Sequence, residues 1–164
     1  MENGASLTES LITLSLISVL AMIALPSLNA WIEQNRLETA THQIRQDMAY
    51  ARYQAVMHQR AVIIQPARAN CWHCGWHVQL ADTATPAQVL IKREALDQQL
   101  RVTSSRSWQA GATFMPNGAA VQPGGAFAAG TFTLCTPNSS QHFKVIISKS
   151  GRARTTREQS LCLW

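Results

Sequence analysis

The stretch SLITLSLISVLAMIALPSLNAWI, from Ser10 to Ile32, contains no charged side chain. As an α-helix that rises about 1.5 Å per residue, it is long enough to cross the roughly 30 Å hydrocarbon layer of a bilayer. An ordinary secretory signal has a basic start and a small-residue cleavage site after a short apolar core, whereas Met1 to Gly4 contain no Lys or Arg. The stretch therefore predicts a membrane-spanning helix, with a removable signal peptide as the alternative.

The rest of the composition fits one globular domain attached to this helix. The chain has 164 residues, of which 46% are hydrophobic and 14% charged, against about 25% charged residues in typical soluble domains. These values exclude a disordered chain. The formal net charge is +5, which favours anionic partners such as nucleic acid or acidic lipid headgroups.

Helical periodicity continues beyond the span to about Gln59. An apolar stripe with a 3.6-residue period consists of Leu37, Ile44, Met48, Ala51 and Ala55. Charged residues, among them Asp47 and Arg52, are assigned to the other faces of the helix. We predict one long helix whose first half lies in lipid and whose second half packs on a globular head. His42 and His58 are predicted to be surface residues, because no second potential ligand follows either of them four residues later in the sequence.

After Arg60 the pattern changes from helix to strand. Short runs rich in Val, Ile, Phe, Trp and Thr, separated by Pro, Gly and Asn turn signals, predict antiparallel strands. Since no helix separates them, we expect a β-sandwich or two small sheets against the long helix, an α+β fold. The stretch Gly118–Gly130 is predicted to be a mobile loop, and Gln65-Pro66 a turn. The predicted strands are 61–65, 76–80, 89–93, 100–104, 112–115, 130–135 and 141–149.

The segment Phe143–Arg157 is the most basic part of the head. It holds five bases and no acid before Glu158. In an extended chain, Arg152 and Arg154 project to the same side about 6 to 7 Å apart, and Ser150-Gly151 supplies a turn that exposes them. Arginine binds phosphate oxygens with two parallel hydrogen bonds. The segment predicts a phosphate-binding patch, with a solvated basic edge strand as the alternative.

Glu9 is unusual because a carboxylate at the edge of a spanning helix is costly unless it has a partner; alone, it is equally compatible with marking the membrane interface. The residues GASLTESLI from Gly4, followed by Ala24-Leu25-Pro26-Ser27, resemble the N-terminus of type IV pilins and pseudopilins. The resemblance implies that a prepilin peptidase cuts after Gly4 and methylates the new N-terminus at Ala5. It also implies that Glu9 neutralises the terminal amine of a neighbouring subunit during filament assembly.

This resemblance implies a type IV pilin-like division of the chain. Residues 1–4 are the leader, 5–32 the transmembrane and filament-core helix, 33–59 the head-packed half of the helix, and 60–164 the β-rich head with its basic C-terminal hairpin. The head is then expected in the periplasm of a Gram-negative bacterium, on a single-pass inner-membrane protein that later enters a pilus at the cell surface.

Two further stretches resemble one branch of these proteins. The segment HQIRQDMAYARYQAVMHQRAVII from His42 resembles the GspH/FimT group of minor pseudopilins, and Ser150-Gly151-Arg152-Ala153-Arg154-Thr155 looks like the Gly-Arg-x-Arg signature of its FimT members. FimT is associated with DNA binding during uptake in natural transformation. The resemblance implies DNA contacts at Arg152 and Arg154 beside Gly151, and then at Lys149 and Arg157. Lys144 is added because it is nearby.

Four cysteines are present: Cys71 and Cys74 in the motif CWHC, Cys135, and Cys162. They allow three connectivities, and the sequence does not choose among them. For a head outside the cytoplasm we favour Cys71 with Cys74 and Cys135 with Cys162. Zinc binding by CWHC with nearby histidines, and a thioredoxin-like redox site, are the alternatives considered.

The sequence thus predicts a minor pilin that binds extracellular double-stranded DNA, without a cofactor or metal. It does not predict an enzyme, since no catalytic triad order, phosphate-binding loop or pair of catalytic acids is recognisable. Expected partners are other major and minor pilins, the prepilin peptidase, and the inner membrane before assembly. The alternatives are a purely structural minor pseudopilin that helps start pilus or type II secretion filament assembly, and a thiol protein that acts through CWHC.

Overall fold

The computed structural model describes residues 7–81, 88–137 and 141–159, without the side chains of residues 23–27. A long helix, α1, runs from Leu7 to His58, and nine described strands follow it. These strands are β1 (Val62–Arg68), β2 (Cys71–Leu80), β3 (Val89–Arg93), β4 (Arg101–Ser104), β5 (Ala112–Phe114), β6 (Ala120–Val121), β7 (Gly130–Cys135), β8 (Gln141–Ile147) and β9 (Ala153–Gln159).

The chain divides into two compact units, Met1–Asn35 and Arg36–Trp164. In the first unit, α1 exposes many large apolar side chains, including Leu11, Ile12, Leu20 and Trp31. Within the described residues, no helix meets the length and hydropathy of a membrane span.

In the second unit, the strands form two antiparallel sheets. One sheet has the order β3-β2-β1-β5-β6 and the other β4-β7-β8-β9. This arrangement confirms the predicted α+β fold with a long helix and two small sheets. The predicted boundaries of Val89–Arg93 and Gly130–Cys135 agree with β3 and β7.

The predicted apolar stripe of α1 forms one wall of the core. Leu37, Ile44, Met48, Ala51 and Ala55 are all buried. The sheets contribute an aromatic cluster, in which the rings of Trp72 and Phe132 meet edge to face with centroids 4.8 Å apart. The largest buried rings of the cluster are Trp72, Trp76, Trp108, Phe114 and Phe132.

Asp47 corrects the predicted polar faces of α1, because it is buried and not solvated. Its carboxylate accepts hydrogen bonds from Trp76 Nε1 at 2.9 Å and from Arg93 Nε and Nη2 at 2.9 and 3.0 Å. The hydrogen bond to Asp47 raises the pKa of the Arg93 guanidinium. A buried carboxylate is tolerated when charge-assisted hydrogen bonds satisfy it, so Asp47 links α1 to β2 and β3.

The predicted turn at Gln65-Pro66 is wrong. Strand β1 continues through Pro66, which pairs with Trp76 of β2. Proline is accepted there because β5 pairs only with Val62–Ile64, so the Pro66 nitrogen faces no described partner strand. The expected loop Gly118–Gly130 contains β6, and Trp108 Nε1 donates to Ala128 O at 2.8 Å.

Candidate nucleic-acid interface

The basic segment folds as a hairpin of β8 and β9 with a three-residue loop, Lys149 to Gly151. Ser148 N donates to Arg152 O at 3.0 Å, and Gly151 N donates to Ser148 O at 2.9 Å. Gly151 has φ +75°, the left-handed conformation that ends this type of hairpin loop. The loop therefore fixes the point at which the chain enters β9.

Arg152 and Arg154 lie together on the outer face of this hairpin. Arg154 is opposite Ile146 of β8, and Ile146 alternates with the buried Val145 and Ile147. A shallow depression of about 420 Å³ is lined by Ile146, Ser148, Ser150, Arg152 and Arg154. Both arginines are exposed, and the described residues form no ion pair with either. The expectation that these two side chains share one side agrees with this geometry.

Lys144 lies on the same face but is already paired. Its Nζ donates to Glu158 Oε2 at 2.5 Å, and the ring of His142 lies 3.2 Å from that oxygen. Lys144 first, and His142 second, hold the pKa of the Glu158 carboxyl below its usual value. A phosphate would have to compete with Glu158 for Lys144.

Arg157 lies on the opposite face of the hairpin. It is opposite Phe143, whose side chain is buried, and its guanidinium carbon lies 5.8 Å from the centre of the Phe143 ring. Its Nη2 also donates to Gln141 Oε1. The five bases of the segment therefore do not form one surface: Arg152 and Arg154 share the depression, Lys149 is exposed in the loop, Lys144 is paired, and Arg157 faces away.

Arg52 of α1, predicted to lie on a helix face other than the apolar stripe, is a further functional candidate. It is half-buried, and its Nε donates to Gly118 O at 3.2 Å and to Ser150 O at 3.1 Å. The sequence does indicate that Arg52 is close to the packed sheets, because it directly follows Ala51 of the buried stripe and a base at the margin of such a stripe lies near the packed sheet.

Cys71 and Cys74 form a disulfide bond. They lie within β2, which begins five residues before the predicted strand 76–80. His73 approaches Cys71 Sγ, with Nε2 at 3.2 Å, but a sulfur in a disulfide is not a thiolate ligand. This bond disfavours the zinc alternative. Cys135 is also disulfide-bonded, while Cys162, its predicted partner, lies outside the described residues.

The predicted processing site lies outside the described residues, since these begin at residue 7. Gly4 and Ala5 therefore have no structural account. Glu9 lies in the first turn of α1 and is exposed.

A match to a family model shows which protein family the chain belongs to. The family model described as "Type II transport protein GspH" matches residues 40–151. The chain belongs to the GspH family. The match ends one residue before Arg152, so the two arginines of the depression lie beyond the matched region.

Solved structures place this GspH-family chain among the minor pilins and pseudopilins. The type IV minor pilin FimU of Pseudomonas aeruginosa PAO1 is 26% identical with a TM-score of 0.64, over 79% of this chain and 98% of that one. The minor pseudopilin EpsH from the type 2 secretion system of Vibrio cholerae has a TM-score of 0.58 over 74% of this chain and 96% of that one. At 9% identity, EpsH shows the fold alone. No curated protein sequence gives a significant match.

Proposed function

We propose that this GspH-family chain is a FimT-type minor pilin that binds double-stranded DNA without sequence preference, for uptake in natural transformation. One observation carries the proposal: Arg152 and Arg154 line the same open depression, and no described acid is bound to either. Each guanidinium offers a planar set of donors that fits two phosphate oxygens. The hydroxyls of Ser148 and Ser150 border the same depression and are hydrogen-bonded to each other at 3.0 Å.

The chemistry of this surface fits backbone binding and not base readout. The hairpin offers no helix for the major groove, and phosphate contacts fix orientation without reading sequence. Affinity is expected to be modest and to fall as salt rises, because each neutralised phosphate releases condensed counterions. Several copies along one filament would strengthen the hold on a single DNA molecule.

The test compares full-length protein, kept in a non-ionic detergent, with the double variant Arg152→Gln/Arg154→Gln. Removing two charge-assisted hydrogen-bonding groups is expected to weaken binding of a fluorescent duplex by roughly tenfold or more. A second duplex of unrelated sequence should bind the wild type equally well.

The matched control is Arg68→Gln/Lys92→Gln, which removes the same net charge from exposed positions in the other sheet. It should bind nearly as the wild type does. Equally weakened binding in both double variants would mean that only net charge matters, and unchanged binding in both would favour the purely structural minor pseudopilin.

We further propose that the exposed apolar half of α1 places the chain in the inner membrane with its head in the periplasm, and later in the core of a filament with other pilins. In this proposal a prepilin peptidase cuts after Gly4 and methylates Ala5, and Glu9 pairs with the terminal amine of a neighbouring subunit. Such a pair would remove the cost of a carboxylate in lipid. Mass spectrometry of the protein from its own cells should show a chain that begins at N-methylated Ala5. A mature chain that retains Met1 would contradict the proposal.

A further inference from the structure

One guanidinium of α1 holds two separate turns of the head. The Nε proton of Arg52 is shared between Gly118 O, in the turn between β5 and β6, and Ser150 O, in the loop between β8 and β9. The two distances, 3.2 and 3.1 Å, are within the range of hydrogen bonds. Arg52 therefore joins the helix to the loop that precedes Arg152.

Two glycines, Gly118 and Gly151, pack closely around Arg52. A Cβ built on Gly151 would overlap Gly118 O, and it would lie 3.1 Å from Phe114 Cε1 and 3.2 Å from Arg52 Cδ. A Cβ on Gly118 would lie 2.9 Å from Arg52 Nη2. Both glycines also have positive φ, +75° and +80°. Both turns therefore lie against the Arg52 side chain, and the overlap at Gly151 is with the backbone oxygen of Gly118.

We propose that Arg52 is a positioning residue for the arginine hairpin. By binding the carbonyl of Ser150, it sets the direction in which the chain passes through Gly151 to Arg152. The side chains of Arg152 and Arg154 are thereby positioned to bind phosphates before DNA arrives. A loop that is ordered before binding loses less conformational freedom when DNA binds. This inference rests on the proposed function for its consequence, but the ordering of the loop is testable without DNA.

The binding test uses full-length Arg52→Gln in non-ionic detergent with the fluorescent duplex. We expect affinity at fixed salt to fall roughly three- to tenfold, about the effect of removing one hydrogen bond to a charged group. The slope of log Kd against log salt should stay at the wild-type value, because no phosphate contact is removed. Arg154→Gln should instead reduce that slope by about 0.9.

The control is Arg45→Gln, which removes the same charge from a half-buried residue of the same helix. It has no described hydrogen bond to the hairpin and should keep near wild-type affinity. A drop of about 0.9 in the slope for Arg52→Gln would identify Arg52 as a phosphate contact and overturn the positioning role.

Amide hydrogen exchange separates this inference from the DNA proposal. Exchange at Gly151 and Arg152 should be roughly tenfold faster in Arg52→Gln than in the wild type and in Arg45→Gln, since the opening of the loop becomes easier. Unchanged exchange would overturn the inference even if DNA binds. If the wild type binds no DNA, the proposed function fails, and the exchange result alone decides whether Arg52 orders the loop.

Arg52→Lys provides a second variant in case Arg52→Gln does not fold. It keeps the charge but cannot share one Nε proton between the two carbonyls, since the ammonium lies on a flexible stem. An amide exchange rate in the loop that lies between the wild-type rate and the tenfold-faster rate would support the inference. Wild-type loop exchange in a folded Arg52→Lys would refute it.

Discussion

Arg152 and Arg154 differ from the other bases of the hairpin in their surroundings. Both are exposed around one depression, whereas Lys144 binds Glu158 and Arg157 lies against Phe143 and Gln141. A base that already has a carboxylate partner gains less from a phosphate, because the first pair must be broken. The binding energy should therefore be concentrated in two of the five bases.

The spacing of Arg152 and Arg154 was readable from the sequence, because residues two apart in an extended chain share a side. The pairing of Lys144 with Glu158 was not readable from the sequence. It depends on the register of β8 against β9, in which Lys144 lies opposite Thr156 and His142 opposite Glu158. Local sequence does not encode which residue of one strand faces which residue of the next.

Asp47 gives a prediction at the same scale. Its side chain is 3% exposed and its carboxylate accepts from both Arg93 and Trp76. Asp47→Ala therefore leaves three N–H donors of these two residues without their acceptor. We expect the free energy of unfolding to fall by about 2 to 4 kcal/mol, measured by urea denaturation.

The control for Asp47 is Asp97→Ala. Asp97 also pairs with an arginine, Arg36, at 2.8 Å, but both side chains are partly exposed at 34% and 52%. Exposed pairs contribute little, so this change should cost less than about 1 kcal/mol. Similar decreases in the two variants would contradict the role assigned to Asp47.

Among the elements, the loop between β8 and β9 depends most sharply on one residue. Gly151 is buried, has φ +75° and lies against Gly118 O. Gly151→Ala should lower the free energy of unfolding by about 1 to 3 kcal/mol, because it adds both backbone strain and a steric overlap. Thermal or urea unfolding measures the change.

Gly124→Ala is the matched substitution for Gly151→Ala. No heavy atom beyond the neighbouring residues lies within 4 Å of a Cβ at Gly124, so this variant should have close to wild-type stability. If Gly151→Ala were equally stable, the tight approach of the loop to the turn at Gly118 would not be required for folding.

The elements were predictable to different degrees. The buried stripe of α1 was readable because a 3.6-residue apolar period reports a packed helix face directly. The polarity of Asp47 and Arg52 does not reveal that they are packed, because their partners lie far away in the sequence, on β3 for Asp47 and in the β8–β9 loop for Arg52. The sequence predicts a turn at Pro66 because proline usually ends a strand. That β1 is unpaired on the side of the Pro66 nitrogen depends on how far β5 extends along it.

At the scale of the whole molecule, the chain combines an apolar helix with a head whose bases are unevenly distributed. The GspH-family match covers the head-packed part of α1 and most of the sheets, residues 40–151, and the structures of FimU and EpsH share this architecture. The scaffold is thus shared with one solved minor pilin and one solved minor pseudopilin. The arginines that carry the proposed function follow directly after the matched region. Arg152 immediately precedes β9, and Arg154 lies on β9, the last strand in the described order β4-β7-β8-β9.

The measurement that tests the central proposal most directly is the salt dependence of duplex binding by the full-length protein. Log Kd is measured against log salt for the wild type and for Arg152→Gln/Arg154→Gln with the same duplex. We predict that the slope of the double variant is smaller by about 1.8, since two fewer phosphates are neutralised. Equal slopes, or no binding by the wild type, would contradict DNA capture by this hairpin.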